Sequence, residues 1–301
     1  MDWPAACAAL LAGRRGPAVA SSRGMGADEA VLRAYYERGM ERDRLTDGRG
    51  SLEFIRTCEI VLRQLPAPPA VVADIGGGPG RYALWLASLG YEVEHRDLMP
   101  FHVEQFAADA AGTAGDHAGR VRSGVGDARH LDLPDGSVDA VLLLGPLYHL
   151  LDRADRVRAL AEAARIVRPG GPVFAAAISR WAARIDGMLR ERLYLAHPDS
   201  LGRIDEIDRT GLLPPMQEGG FLAYCHRPEE LRAELTEAGL EVADLVSVEG
   251  PAFILGDLDA RMADPVDWDV ALEVARAIER VPELLGFGPH LLATGVAARR
   301  P

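Results

Sequence analysis

Lysine is absent from all 301 residues, so every permanently positive side chain is an arginine. This excludes Schiff-base chemistry on a lysine amine. It also excludes a P-loop, whose Gly-Lys-Ser/Thr end needs a lysine to reach phosphate oxygens. Cysteine is scarce: Cys7, Cys58 and Cys225 are scattered without metal-ligand spacing. That pattern points away from a metal site and a disulfide framework and towards a reducing cytoplasm. Positive charge is in deficit, with 33 basic against 45 acidic residues and a net charge of −12. Such a surface disfavours polyanionic nucleic acid and anionic lipid and leaves a small molecule as the expected partner. No apolar run approaches the ~18 continuous residues that a membrane span requires. The short run from Ala5 to Ala12 has the flavour of a signal segment, but Asp2 and no base precede it, and Arg14 and Arg15 fall on the wrong side. Residues 1–26 read as a loosely ordered leader, with Met25 a candidate start. Abundant Ala, Arg, Gly and Pro beside the missing lysine match the bias of a GC-rich, bacterial genome.

What the chain does have is concentrated between Val71 and Asp97. The β-branched run Val71 to Ile75 breaks into Gly76, Gly77, Gly78, Pro79 and Gly80, and Tyr82, Trp85, Leu86 and Leu89 then recur at helical spacing. A second strand, residues 91–96, ends at Asp97, about twenty residues past the first glycine, where a βαβ nucleoside site sets a carboxylate against ribose hydroxyls. The dinucleotide fingerprint G-x-G-x-x-G fails, because its third glycine falls on Arg81. The fit is G-x-G-x-G at Gly76, Gly78 and Gly80, with Asp74 just before the loop. Such a loop suits a nucleoside ligand that lacks a pyrophosphate.

The remaining chain alternates strand and helix. Residues 121–125 alternate as a strand and lead into Gly126-Asp127-Ala128. Residues 138–144 are apolar on both faces, as the centre of a parallel sheet requires. Gly145-Pro146-Leu147-Tyr148-His149-Leu150 follows at the carboxyl end of that strand, the edge where open α/β sheets place ligands. Asp152 caps a helix over 152–168, Pro169-Gly170-Gly171 stops it, and a strand over 173–178 comes next. Further helices are expected at 27–45, 51–65, 100–110, 228–238 and 266–280, and the last two strands at 240–249 and 290–298. Between Arg180 and His226 about 45 residues replace a short connection, too many for a structureless loop in a compact domain. Helical pieces capping a substrate pocket are expected there.

Asp74-Ile-Gly-Gly-Gly-Pro-Gly80 followed by Asp97 resembles the first two motifs of class I S-adenosylmethionine-dependent methyltransferases, and Arg165-Ile-Val-Arg-Pro-Gly-Gly171 before a strand resembles their late motif. The resemblance covers approximately residues 50–298. It implies a Rossmann-like, doubly wound α/β fold: a seven-stranded, mostly parallel sheet with an antiparallel last strand, N-terminal helices and a helical cap insert. The implied division is a leader over 1–26, a helical lid over 27–70 and a methyltransferase domain over 71–301 with its insert at about 180–226. The implied cofactor is S-adenosylmethionine, leaving as S-adenosylhomocysteine. Gly76, Gly77, Gly78 and Gly80 would admit it closely, Asp97 beside Leu98 would take its ribose hydroxyls, and Asp127 with Ala128 would hold adenine. Asp74 would face the cationic end of the methionine moiety, directly or through water. Leu144, and Tyr36 or Tyr35 from the first helix, would line the site. No metal is implied.

Methyl transfer from a sulfonium is an in-line displacement, so the protein mainly aligns nucleophile, methyl carbon and sulfur and keeps water out. The expected acceptor is an oxygen or nitrogen of a small molecule. His149, with an ordinary pKa of about 6.5, is the candidate general base, and Tyr148 beside it shares that candidacy. A pocket-lining role for the pair is the competing reading. An amine acceptor needs no strong base, and the insert acids Asp205, Glu206 and Asp208 would suit its charge. Two other classes compete: an RNA methyltransferase, opposed by the acidic balance, and an NAD-dependent oxidoreductase, which leaves Arg81 and Gly126-Asp127-Ala128 unexplained.

Overall fold

The computed structural model describes residues 25–36, 44–45, 48–112, 118–190, 192–195, 198–214 and 222–298. Residues 1–24 of the expected leader, 37–43 of the first expected helix, and Pro215, Gly219 and Gly220 of the insert lie outside them. In chain order the elements are helices α1 (Met25–Tyr36) and α2 (Gly48–Leu62), strand β1 (Val71–Ile75), α3 (Arg81–Ser88), β2 (Glu92–Asp97), α4 (Pro100–Gly112) and β3 (Val121–Val125). There follow β4 (Ala140–Leu143), the single turn α5 (Pro146–His149), α6 (Arg153–Ile166), β5 (Pro172–Ser179), α7 (Ser200–Thr210), β6 (Leu212–Leu213) and β7 (Ala223–His226). The last are α8 (Pro228–Glu237), β8 (Leu240–Ser247), α9 (Leu258–Ala263), α10 (Pro265–Ile278) and β9 (His290–Ala297).

Strands β3, β2, β1, β4 and β5 lie side by side in that order, each pair parallel. Strand β9 flanks β5, and β8 flanks β9. Gly170 donates to the Ala297 carbonyl at one end of β5 and Ser179 to the Pro289 carbonyl at the other, so β9 runs antiparallel to β5. These seven strands are the expected frame. The short antiparallel pair β6–β7 is additional, with β7 parallel to the last two residues of β5 through Ile178 and Ser179 opposite Cys225 and His226.

Two compact units divide the described residues. The sheet unit comprises Thr57–Ala177, Pro228–Val246 and the residues from Leu291 onwards. Within it β4 is buried at all four residues and β1 at four of five, the pattern of parallel strands covered on both faces. Helix α3 buries Tyr82, Ala83, Leu86 and Ala87, one stripe of its surface. Helix α6 starts as expected, with the Asp152 carboxylate accepting from the Ala154 amide at 2.8 Å. Strand β4 is shorter than the 138–144 run because its start is spent on loop contacts: Val138 bridges to Val167, and the Asp139 carboxylate accepts from the Val71 amide at 2.8 Å.

The insert unit comprises the described residues up to Arg56, Ile178–Arg227 and Ser247–His290. One of its apolar clusters joins Leu52, Ala252, Leu258, Ala271 and Leu272. Its backbone is irregular. Ile185–Arg190 forms a π-helical stretch, and Leu193–Leu195 and Gly250–Ile254 form single 3₁₀ turns. Arginines span these pieces: Arg56 donates to Glu279 and to the Val248 carbonyl, Arg180 to the Cys225 and Asp208 carbonyls, and Arg49 and Arg190 both to Asp186.

Candidate functional site

Parallel register decides which residues meet. Ile75 lies opposite Arg96, Asp97 opposite Val125, and Asp74 opposite Leu142. The carboxyl ends of β1, β2, β3 and β4 therefore share one edge, and the segments that follow them gather there: Gly76–Gly80, Leu98, Gly126–Ala128 and Leu144–His149. Strand order reverses between β1 and β4, the crevice where open α/β sheets bind ligands.

The glycine loop leaves β1 with the Gly76 amide bonded to the Arg96 carbonyl at 2.7 Å. Gly76, Gly78 and Gly80 have φ of 68°, 57° and 86°, left-handed values that other residues seldom adopt. Crowding adds a second reason for glycine: a Cβ on Gly76 would overlap the Pro146 ring, and one on Gly80 would overlap Phe106. A Cβ on Gly77 would lie 2.5 Å from a carboxylate oxygen of Asp74. At Gly78 the same atom would meet nothing within 4 Å, so this residue presents an open side.

The two acids of the motif stand in opposite states. Asp97, at the end of β2, is buried, and burial alone would push its carboxyl up. The His102 imidazole and the Met99 and Gly78 amides hold it below the usual carboxylate range instead. Those bonds are 3.0 Å from His102 Nδ1 and 2.8 Å from Met99 to Oδ1, and 2.8 Å from Gly78 to Oδ2. Asp97 thus organises the loop as well as ending the strand. Asp74 is 1% exposed, and among the described residues neither of its oxygens has a hydrogen-bond partner. The Ala83 amide compensates it in part without reaching hydrogen-bond geometry. Burial, reinforced by the Asp97 charge, pushes its carboxyl up to about 7.

Asp127 follows β3 as expected, but Arg129 grips it. The guanidinium donates to both carboxylate oxygens at 2.6 to 3.1 Å, and the Arg129 amide donates at 2.9 Å. A second arm of Arg129 reaches Asp155 at 2.9 Å. Despite partial burial, these contacts hold the Asp127 carboxyl below its ordinary value. Ala128 is buried. Leu144 and Gly145 close the edge, and a Cβ on Gly145 would sit 3.0 Å from the Gly76 carbonyl oxygen. Tyr148 and His149 occupy α5 with rings 4.6 Å apart, edge to face, both half-buried. Behind them Arg156 donates to the Leu150 and Leu151 carbonyls, 2.9 Å each, and forks onto buried Glu234.

The structure thus brings Asp74, the four glycines, Asp97, Leu98, Asp127, Ala128, Leu144, Tyr148 and His149 to one edge of the sheet unit. Tyr36 belongs to the insert unit, at the end of α1, its ring 5.3 Å from that of Tyr35. The insert acids expected to suit an amine are already paired: Asp205 and Asp208 with Arg184, and Glu206 with Arg209. A further cluster in that unit joins Glu53, Glu249 and His290, whose ligand-type atoms lie within 4.8 Å of one another. Arg44 forks onto Glu53 at 2.6 and 3.0 Å, and His290 Nδ1 meets Glu249 at 2.5 Å, so with an imidazolium the four charges cancel. Burial opposes that cation, but Glu249 and Glu53 raise its pKa to about 9.

Sequence reasoning passed over His95, His102, Phe106 and Arg129. For His95 a signal existed: it precedes Asp97 by two residues on a strand, so both point to the same face. Nothing comparable marks His102, Phe106 or Arg129, whose partners are set by tertiary packing.

Comparison with known proteins agrees with this geometry. Residues 72–171 match a family model described as a methyltransferase domain. An uncharacterized methyltransferase of Mycobacterium tuberculosis is 28% identical over 176 residues, spanning 54% of this chain and 68% of that protein. A ubiquinone/menaquinone biosynthesis C-methyltransferase of Acidiphilium cryptum is 34% identical over 126 residues, 40% of this chain and 47% of that protein. In fold, the chain is similar to the Burkholderia thailandensis 1,6-didemethyltoxoflavin-N1-methyltransferase, solved with 1,6-didemethyltoxoflavin and S-adenosylhomocysteine, at TM-score 0.57, 19% identity and 94% coverage of each chain. Sheet order, glycine loop and these relationships agree: residues 72–171 match a methyltransferase domain, and the chain is similar in fold to S-adenosylmethionine-dependent methyltransferases.

Proposed function

We propose that this chain transfers a methyl group from S-adenosylmethionine to an oxygen or nitrogen of a small molecule, with the donor held at the glycine-loop edge. One observation carries the donor assignment. Asp74 is a buried acid without a hydrogen-bond partner among the described residues, set beneath a loop whose open side is Gly78. Burying an uncompensated carboxylate is costly, and a ligand bearing positive charge relieves that cost. S-adenosylmethionine carries both an ammonium and a sulfonium, and when bound it supplies a methyl carbon activated for in-line displacement. Asp97 and Leu98 suit the ribose, and the Asp127–Ala128 turn suits the adenine.

The chain's own part is orientation, exclusion of water and, for a hydroxyl acceptor, removal of one proton. His149 is read as the group that takes that proton, with a pocket-lining role as the competing reading; it sits on α5 with Tyr148 against its ring. Helices α1 and α2 and the insert over 180–226 are read as the parts that select the acceptor, with Tyr36 among them. The acidic net charge supports a small molecule over RNA, and a cytoplasmic setting belongs to the same reading. Among the described residues, no helix is long and apolar enough to cross a membrane. The relatives above are named for methylation at nitrogen and at carbon, so the attacked atom is a matter for measurement.

Calorimetry with S-adenosylhomocysteine tests the donor site, and saturable one-to-one binding is expected. A screen of small acceptors against isotope-labelled donor, read by mass, tests the transfer. No binding of the homocysteine product would overturn the proposal, and RNA retention that weakens with salt would redirect it to RNA. His149→Gln is expected to keep product affinity and lower turnover by about 10²-fold; near-normal turnover would remove the general-base role.

A further inference from the structure

We infer that His95 is a positioning residue for the donor loop: its imidazole, stacked on Phe106, fixes the Gly78 peptide in the conformation that the donor meets. The inference rests on the reading that this loop binds S-adenosylmethionine.

Strand alternation turns Val93, His95 and Asp97 to the buried face of β2, while Glu92, Glu94 and Arg96 take the other. The imidazole is completely buried. Its Nε2 lies 3.1 Å from the Gly78 carbonyl oxygen, and its Nδ1 lies 2.8 Å from the hydroxyl of Ser123, directly opposite on β3. A carbonyl only accepts, so Nε2 carries the hydrogen. In the neutral ring Nδ1 then accepts from the Ser123 hydroxyl. Burial favours that neutral form, holding the imidazole below its ordinary value against the pull of Asp97.

Two residues later on the same face, Asp97 accepts the Gly78 amide at 2.8 Å. One strand therefore holds both polar groups of Gly78, His95 taking the carbonyl and Asp97 the amide. The ring has a second task as a floor. It stacks on Phe106 at 5.3 Å and 28°. A Cβ on Gly77 would lie 2.6 Å from His95 Cδ2, and one on Gly80 would overlap Phe106. The loop thus rests on the His95–Phe106 pair and keeps the far side of Gly78 open. An apolar residue at 95 would fill the floor equally well but leave the Gly78 carbonyl unpaired. This separates positioning from packing.

His95→Phe keeps an aromatic floor and removes both hydrogen bonds, and His95→Gln restores a donor towards Gly78. Calorimetry with S-adenosylhomocysteine on folded protein should show His95→Phe weakened about tenfold and His95→Gln recovering much of the loss, alongside a lowered melting temperature for His95→Phe from the unpaired Gly78 carbonyl. The ¹⁵N shifts of the imidazole should show the Nε2–H tautomer at pH 7. Should His95→Phe fail to fold, Ser123→Ala and the imidazole spectrum of the wild type decide. Wild-type binding with unchanged His95→Phe affinity, or an Nδ1–H tautomer, would overturn this inference alone. Failure of the wild type to bind would overturn the donor reading and this inference with it.

Discussion

The sheet unit and the insert unit are built by different means. In the sheet unit, parallel ladders and apolar burial set the backbone, and at one edge Asp97 is held by three donors while Asp74 has none among the described residues. In the insert unit, short irregular pieces are tied by arginines, each linking segments remote in sequence: Arg49 to Asp186, Arg56 to Glu279, Arg180 to Cys225. Ladder hydrogen bonds are local to paired strands and leave side chains available for a ligand. Ion pairs consume the side chains that make them. The acid with neither oxygen partnered among the described residues, Asp74, lies in the sheet unit, while Asp205, Glu206 and Asp208 of the insert each pair with an arginine.

The largest expected effect breaks the insert unit alone. Arg56→Met takes from buried Glu279 one of the two arginines paired with it and leaves Arg280; losing a partner of a buried pair costs at most about 3–5 kcal/mol, and the remaining arginine lowers that. Denaturant titration should show that loss, while folded protein keeps wild-type affinity for S-adenosylhomocysteine. Next comes the converse change. Gly80→Ala imposes a side chain on a left-handed residue against Phe106, at about 1–2 kcal/mol for the backbone alone. Its signature should be a product affinity lowered by more than the stability change would suggest. If both variants lost stability and affinity together, the contrast between the units would fail.

Protons carry the smallest effects. His290 is raised from 6.5 to about 9, so its imidazolium contributes stability that is complete below about 6.5 and lost as pH rises through about 9. Asp74 is raised from 3.8 to about 7, so stability tied to its neutral form is complete below about 3.8 and lost as pH rises through about 7. Melting temperature against pH should therefore fall in two windows. His290→Gln should flatten the alkaline one and Asp74→Asn the acid one. A variant that flattens the other residue's window would reverse the assignment.

Much of the sheet unit was legible in advance. Strand β1 falls where the β-branched run predicts, β3 where the alternation does, and Asp152 caps its helix as written. Periodicity works there because every element buries a face against a regular neighbour. In the insert unit, helical pieces over 180–226 were expected, and α7 and the shorter turns supply them. The π-helical stretch, the β6–β7 pair and helix α9 were not. Short irregular segments carry too few periods to register.

The sequence alone determined the glycine loop and the acid beyond it, because left-handed backbone and close approach admit one residue type and strand periodicity sets the spacing. It also determined the acidic balance and the absence of lysine, which narrow partners and chemistry without any fold. Tertiary structure decided what each acid does. Asp74 and Asp97 read alike as carboxylates, yet one is left without a partner and the other is clamped by His102 and two amides. That difference depends on which remote groups the parallel register brings within hydrogen-bond distance.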